Sequence, residues 1–480
     1  QNNIGSVVEK LSYHFEQAEK SGKGYAYLLQ SSQNLKSRSM FHEALSYLDR
    51  ALKIEPYARE HLTLESAEAQ LAELLLNYSF IAQRLGDGHL AQEKANLADQ
   101  IAGEQKNIAL LAKIATEKAC QARERYNLGE ADLQIRRALS YAKQSGQLQL
   151  QILPLYEQGA LYWEESQMDK AKESFEQALD LSEQFNDQLG IARVNIGLGV
   201  LSMCVGSTPT ARQAFERSIK SSSKMQRIEE LVIAQTNLAE LHHCAGNFKR
   251  GLDLSNSAIQ KCRQIRYRAG LGMALRYSAI LLTDIARFAE AEEHAKLALS
   301  VNSELENEQE TLASLVVLIR VFLANKQWGK VSSLLPKAIS LAKDYDAEGY
   351  FPILLSWKAR LIVHTDNDIP QATHILYQAV SQLKRHWKHQ EVRCFLNLAR
   401  AWIACERPDD AQGFAQKALF IAGSSGYRYY AMRARQILAT ITPDPVERAR
   451  HERVAKALKR SLAASLDTKN GQFFSERHRL

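Results

Sequence analysis

Apolar and polar positions along most of the chain follow the period of an α-helix, and the pattern returns at a fixed interval. In "QMDKAKESFEQALDL", residues 167–181, the side chains of Ala171, Phe175, Ala178 and Leu179 stand at offsets 0, 4, 7 and 8, which share one face of a helix. Steps of 40 from Ala171 reach Ala131, Ala211, Gly251, Ala291 and Val331; steps of 41 and 39 then reach Ala372 and Ala411, and backward steps of 40 and 47 from Ala131 reach Ala91 and Ala44. Seven residues after these ten anchors stand Ala51, Ala98, Ala138, Ala178, Ser218, Ala258, Ala298, Ala338, Ala379 and Ala418. Alanine on a buried face lets a neighbouring helix approach where leucine would hold it off. Each anchored segment therefore predicts the second helix of a helical hairpin.

The first helix lies upstream. Gly159 and Tyr162 precede Ala171 by twelve and nine residues, and Leu198–Gly199, Leu238–Ala239 and Leu398–Ala399 occupy the matching places before Ala211, Gly251 and Ala411. Gly246, Asn247, Pro209, Pro370 and Pro408 mark the turns, since proline at the start of a helix lacks only an N–H that has no partner there. Pro336 breaks the pattern. It falls five residues after an anchor, where a regular helix loses about 3 kcal/mol, and predicts a kink or a late start.

These residues resemble the tetratricopeptide repeat, with its small/Leu-Gly/Tyr first helix and its Ala, aromatic and Ala second helix. The period of 40 departs from the usual 34 and is similar to the long-period arrays of kinesin light chain and of large bacterial signalling proteins. The resemblance implies an all-α, right-handed superhelical solenoid of about ten hairpins over 21–440, with anchors near 44, 91, 131, 171, 211, 251, 291, 331, 372 and 411. A capping helix is expected at 427–441, a linking helix at 1–20, and a basic helix and tail at 446–480. "LSYHFEQA" and "FHEALSYLDRAL" resemble the junction at which bacterial multidomain signalling ATPases, and in some architectures serine/threonine kinases, pass to their C-terminal repeats. That likeness implies an ATPase or kinase module upstream of Gln1, and the start at Gln1 reads as a cut from a longer chain.

Composition adds little except at the end. The chain of 480 residues carries a formal charge of +7, of which residues 446–480 supply nine Lys or Arg against four Asp or Glu. The segment "VERARHERVAKALKRSLAASL" places Val454, Leu458, Leu462 and Leu466 on one face and Arg453, Lys456, Lys459 and Arg460 on others. Folding back on the array, self-association and contact with an acidic surface or nucleic acid are all open to such a helix. Six cysteines without CxxC spacing suit a reducing, cytoplasmic setting, and the apolar run at Leu312–Ala324 is too short for a bilayer. No GxxxxGK[ST], HExxH or GxSxG motif stands in the sequence, so no catalytic, cofactor or metal site is expected. "LHHCAG" and the pair His386 and His389 lack a second cluster with ligand spacing.

A solenoid works as a protein or peptide scaffold through the face lined by its first helices. Fourteen residues before an anchor stand Asn77, Asn237 and Asn397, where the resemblance implies contact with a ligand backbone; an amide offers both donor and acceptor. Arg193, Arg276, Arg393 and Arg400 lie at neighbouring positions and suit acidic partners. The expected function is a non-catalytic sensor or scaffold of a bacterial signalling protein. The alternative is the repeat region of a transcription regulator that touches nucleic acid through its basic tail.

Overall fold

The computed structural model describes residues 21–60, 63–305, 307–345, 349–383 and 387–478. The helix expected over 1–20 lies outside the described residues, as does His386. Among the described residues there are helices and turns and no strand.

The 40-residue period comes from two near-equal halves. Gly88–Glu104, Ile108–Glu124 and Leu128–Gln144 are helices of 17 residues, and three-residue turns complete each half at twenty. The turns are alike. Tyr126 adopts φ 60° and its N–H donates to the Arg123 carbonyl at 2.9 Å, while the Asn127 N–H donates to the Ala122 carbonyl at 2.9 Å. This left-handed closure satisfies carbonyls that the helix end leaves open. Asn127 then caps the next helix, its side chain accepting from the Glu130 N–H at 3.2 Å. Left-handed residues recur at Gly86, Lys106, Tyr126, Gly146, Ser166, Asn186, Gly206, Gln226, Gly246, Arg266 and Ala286, twenty apart.

The anchors are buried as their spacing predicts. Ala44, Ala91, Ala131, Ala171, Ala211, Ala291, Ala372 and Ala411 are all 0% exposed, as are Ala138, Ala178 and Ala298. Phe175 explains the glycines: a Cβ at Gly159 would stand 2.6 Å from its ring, and one at Gly197 the same distance. Only a missing side chain on two successive first helices leaves room for the phenyl ring. Where serine replaces glycine twelve residues before the anchor, its hydroxyl donates to the anchor's carbonyl, as Ser32 does to Ala44 at 3.1 Å and Ser79 to Ala91 at 2.7 Å.

The chain forms two compact units, one of residues 1–198, 217–231 and 264–267 and the other of 199–216, 232–263 and 268–480. In the first, the Glu229 N–H donates to Ser39 Oγ at 3.2 Å and Phe41 meets the Tyr267 ring edge-on at 6.4 Å. In the second, Thr208 Oγ1 donates to the Ser425 carbonyl at 2.6 Å and the Tyr427 hydroxyl to the Met203 carbonyl at 3.3 Å. These partners are 190, 217 and 224 residues apart, about five repeats of 40. Within each unit, then, a hairpin touches the one five places on.

Three segments depart from simple repetition. The helix Trp328–Tyr345 begins eight residues before Pro336 and runs through it, so the late start expected there does not occur. Gln188–Val205 is long and apolar enough to cross a membrane by length and composition, with half of it buried inside the array. The C-terminal segment folds as Pro445–Ala464 and Thr468–Arg477 and packs on the second unit. Leu462 covers Gly246, and Phe474, fully buried, lies 5.2 Å from Phe248.

Candidate ligand-binding face

In each unit the first helices of successive hairpins pack on one another. Ile108–Glu124 meets Leu64–Leu85 and Ile152–Glu164, and Lys388–Ala404 meets Phe351–Asp366 and Arg428–Ile441. Second helices of adjacent hairpins do not pack on each other to that extent. Side chains on the first helices therefore face counterparts on the first helices of neighbouring hairpins.

In the first unit these counterparts are opposite charges. Arg84 stands 2.8 Å from Glu124, one repeat on, and 2.7 Å from Glu229, several repeats on; Arg123 reaches Glu157 at 2.9 Å and Glu164 at 2.8 Å; Arg193 meets Glu230 at 3.0 Å. Glu157, Glu229 and Glu230 are buried, which such pairing makes tolerable. Asn77 accepts from Lys36 Nζ at 2.7 Å and donates to the Glu73 carbonyl at 2.9 Å, so both ends of its amide are engaged. Burial pulls the Lys36 ammonium down to about 8.

In the second unit Asp284, fully buried, gathers three donors: Arg320 at 2.5 Å, His243 Nε2 at 2.7 Å and Arg477 at 3.5 Å. Burial works against its ionisation, but Arg320 and His243 outweigh burial and hold the carboxyl well below its usual range. Arg276 pairs with Glu310 at 3.1 Å; Glu240 is approached by His389 at 3.7 Å and Arg393 at 3.9 Å. Asn397 accepts from the Trp357 indole at 2.9 Å and donates to the Arg393 carbonyl at 2.8 Å. Asn237 uses only an N–H in this way, donating to the Ile233 carbonyl at 2.9 Å.

Arg400 differs from the other expected residues. It is half-buried on the same face, and among the described residues no carboxylate lies within ion-pair distance of it. On the tail helix Arg453, Lys456 and Arg460 are exposed and line a shallow cleft, Lys456 pairs with Glu452 at 3.2 Å, and Lys459 turns toward the Ser475 carbonyl at 3.5 Å.

Sequence reasoning missed Asp284, Arg320, Arg360 and Arg433 as members of this face. A signal was available, since Arg320, Arg360 and Arg400 stand at steps of 40. His243 belongs to the Asp284 cluster, while the adjacent His242 sits near Asn247 at 3.4 Å; neighbouring helix positions point different ways. Among the described residues no three His, Cys, Asp or Glu are grouped to hold a metal ion.

Comparison with known proteins agrees with the repeat. Residues 191–414 match the family model described as the MalT-like TPR region, and no curated protein matches the chain in sequence. A Rap protein complexed with Competence and Sporulation Factor superposes with a TM-score of 0.51 at 13% identity, covering 83% of this chain and 100% of that one. The apo form of RapI gives 0.50 at 12% identity over 73% of this chain and 97% of its own. A Signal Transduction ATPase with Numerous Domains protein with a tetratricopeptide repeat sensor, from Pyrococcus horikoshii, gives 0.44 at 13% identity over 69% of this chain and 54% of its own. The chain is an array of helical hairpins that is similar over residues 191–414 to the MalT-like TPR region.

Proposed function

We propose that the chain is the non-catalytic sensor or scaffold region of a bacterial signalling protein, and that it binds a protein or peptide on its first-helix face to regulate an ATPase or kinase module upstream. The observation that carries this reading is the polar first-helix face of the second unit, where among the described residues Arg400 has no carboxylate at ion-pair distance. A face that had only to hold hairpins together would pair each charge, as Arg123 does with Glu157 and Glu164. Asn237, with its amide oxygen turned from the helix bond, supplies an acceptor on the same side.

Peptide display against the intact chain, followed by hydrogen exchange with the selected peptides bound, tests the reading. Protection is expected on Ile228–Ala245 and Lys388–Ala404. Ligands that protect only second helices remove the proposal. The nucleic-acid alternative has the exposed Arg453, Lys456 and Arg460 in its favour. Salt-sensitive DNA binding that disappears on deletion of residues 446–480 would select it.

A further inference from the structure

The first-helix face of the second unit holds more positive charge than its carboxylates neutralise. Arg320 and Arg477 share Asp284, Arg276 has Glu310 and Arg393 has Glu240. Arg360, Arg400 and Arg433 have no carboxylate at ion-pair distance among the described residues. They stand on three successive first helices, Phe351–Asp366, Lys388–Ala404 and Arg428–Ile441, that pack side by side.

Their other contacts leave the guanidinium charge uncompensated. Arg433 donates to the Tyr429 hydroxyl at 2.8 Å, and Arg360 lies 5.8 Å over the Trp328 ring, which itself stacks on His364 at 4.4 Å. All three are half-buried. Burial first, and the nearby Arg433 second, pull Arg360 down to about 10 and Arg400 well below the ordinary arginine range. Like charges on adjacent packed helices in a partly dehydrated setting raise the free energy of the empty protein.

We propose that Arg360, Arg400 and Arg433 form a receptor for an acidic peptide segment, whose adjacent side-chain carboxylates bridge the three guanidiniums. The inference rests on the peptide-binding reading and adds the ligand's charge to it. A guanidinium offers paired N–H donors that match a carboxylate, and three of them on neighbouring helices fit two or more carboxylates spaced along one strand of peptide. The Trp357 indole and Asn397 amide hold one another between the Phe351–Asp366 and Lys388–Ala404 helices and keep Arg360 and Arg400 in register.

The test uses the full chain and a fluorescent hexaglutamate peptide, with hexalysine and inorganic phosphate as competitors. Hexaglutamate is expected to bind and to raise the melting temperature; Arg400→Gln and Arg360→Gln should each weaken binding about tenfold. The same substitutions should leave the empty protein as stable as the parent or more so, because they remove repulsion and not a bond. A tail variant, Arg453→Gln with Arg460→Gln, should bind as the parent does, which separates the receptor from general basicity. The proposal is overturned by no binding of hexaglutamate, by equal binding to Arg400→Gln, or by an empty Arg400→Gln protein that melts well below the parent. Displayed peptides that protect the first helices yet lack acidic residues would end this inference and leave the broader reading intact. Displacement by phosphate at concentrations far below hexaglutamate would also end it, assigning the site to a phosphate ligand.

Discussion

His243 Nε2 and Asp284 Oδ2 meet at 2.7 Å, with both side chains buried. Their helices, Ile228–Ala245 and Arg268–Asp284, are the first helices of adjacent hairpins, so the contact ties one repeat to the next. The same carboxylate accepts from Arg320, one repeat further on, and faces Arg477 of the C-terminal helix. Asp284→Ala would leave these donors in the interior without a counter-charge. Breaking such a buried cluster costs roughly 3–5 kcal/mol, to be read as a lower urea midpoint for the second unit.

Acid should weaken the second unit before its carboxylates titrate. Burial, with Arg250 and Arg212 nearby, pushes His242 down to about 4; burial also lowers His243 and, with Arg433 and Arg477, His478. Asp284 favours a charged His243, but Arg320 already supplies its counter-ion, so burial prevails. A histidine whose folded value is depressed takes up its proton in the unfolded chain first. Its contribution is complete above the ordinary value of 6.5 and is lost as pH falls toward about 4. Asp284, depressed as a carboxylic acid, keeps its contribution above 3.8 and loses it only below. Stability against urea should therefore decline between pH 6.5 and 4, and His242→Gln should flatten that slope.

Two glycines separate packing from propensity. A Cβ at Gly159 would meet the Phe175 ring at 2.6 Å, and the ring is held from the far side by Gly197. Gly159→Ala is expected to destabilise by about 1–3 kcal/mol through overpacking. Gly413 lies exposed inside the helix Pro408–Ser424, and a methyl group there would meet nothing within 4 Å, so Gly413→Ala should stabilise by up to about 1 kcal/mol. Thermal melts of both variants check the pair.

The hairpins were legible in the spacing of small residues, because eight of the ten anchors are alanine and all eight are buried. The turns were less legible. Gly86, Gly146, Gly206, Gly246, Gly349 and Gly426 carry the glycine that advertises a left-handed position; Tyr126, Arg266 and Ala286 adopt a similar φ with ordinary side chains. Charge pairing was hidden for a different reason. Arg123 and Glu164 are 41 residues apart, and Asp284 and Arg477 far more, so no local window holds both partners. Asn77 and Asn397 look alike in sequence to Asn237, yet each is engaged at both ends of its amide, through Lys36 in one case and Trp357 in the other. Pro336 does not delay its helix, which also carries Val331, Leu335 and Ala338, all buried.

Ala286 provides a stabilising counterpart to these losses. Its φ of 65° is a conformation that a Cβ disfavours, and the turn is fixed by the Arg287 N–H donating to the Leu282 carbonyl at 2.9 Å. Ala286→Gly should relieve that strain and raise stability by about 0.5–1 kcal/mol, after the greater freedom of glycine in the unfolded chain is subtracted. An unchanged or lower melting temperature would show that the turn holds Ala286 without strain.

The C-terminal segment should behave as part of the second unit and not as a free basic arm. Phe474 is fully buried among Phe248 at 5.2 Å, His478 at 4.5 Å and Tyr429 at 6.4 Å, while His478 Nε2 bonds the Asp284 carbonyl at 3.1 Å. Phe474→Ala removes a buried ring from a closed site and should cost roughly 3 kcal/mol or more. Because Arg477 and His478 follow Phe474 by three and four residues, its loss should also release their hold on Thr283 and Asp284. Limited proteolysis should then cut between residues 464 and 478 in the variant and spare the parent. A tail that is cut equally fast in both would mean that the helix Thr468–Arg477 is only loosely attached.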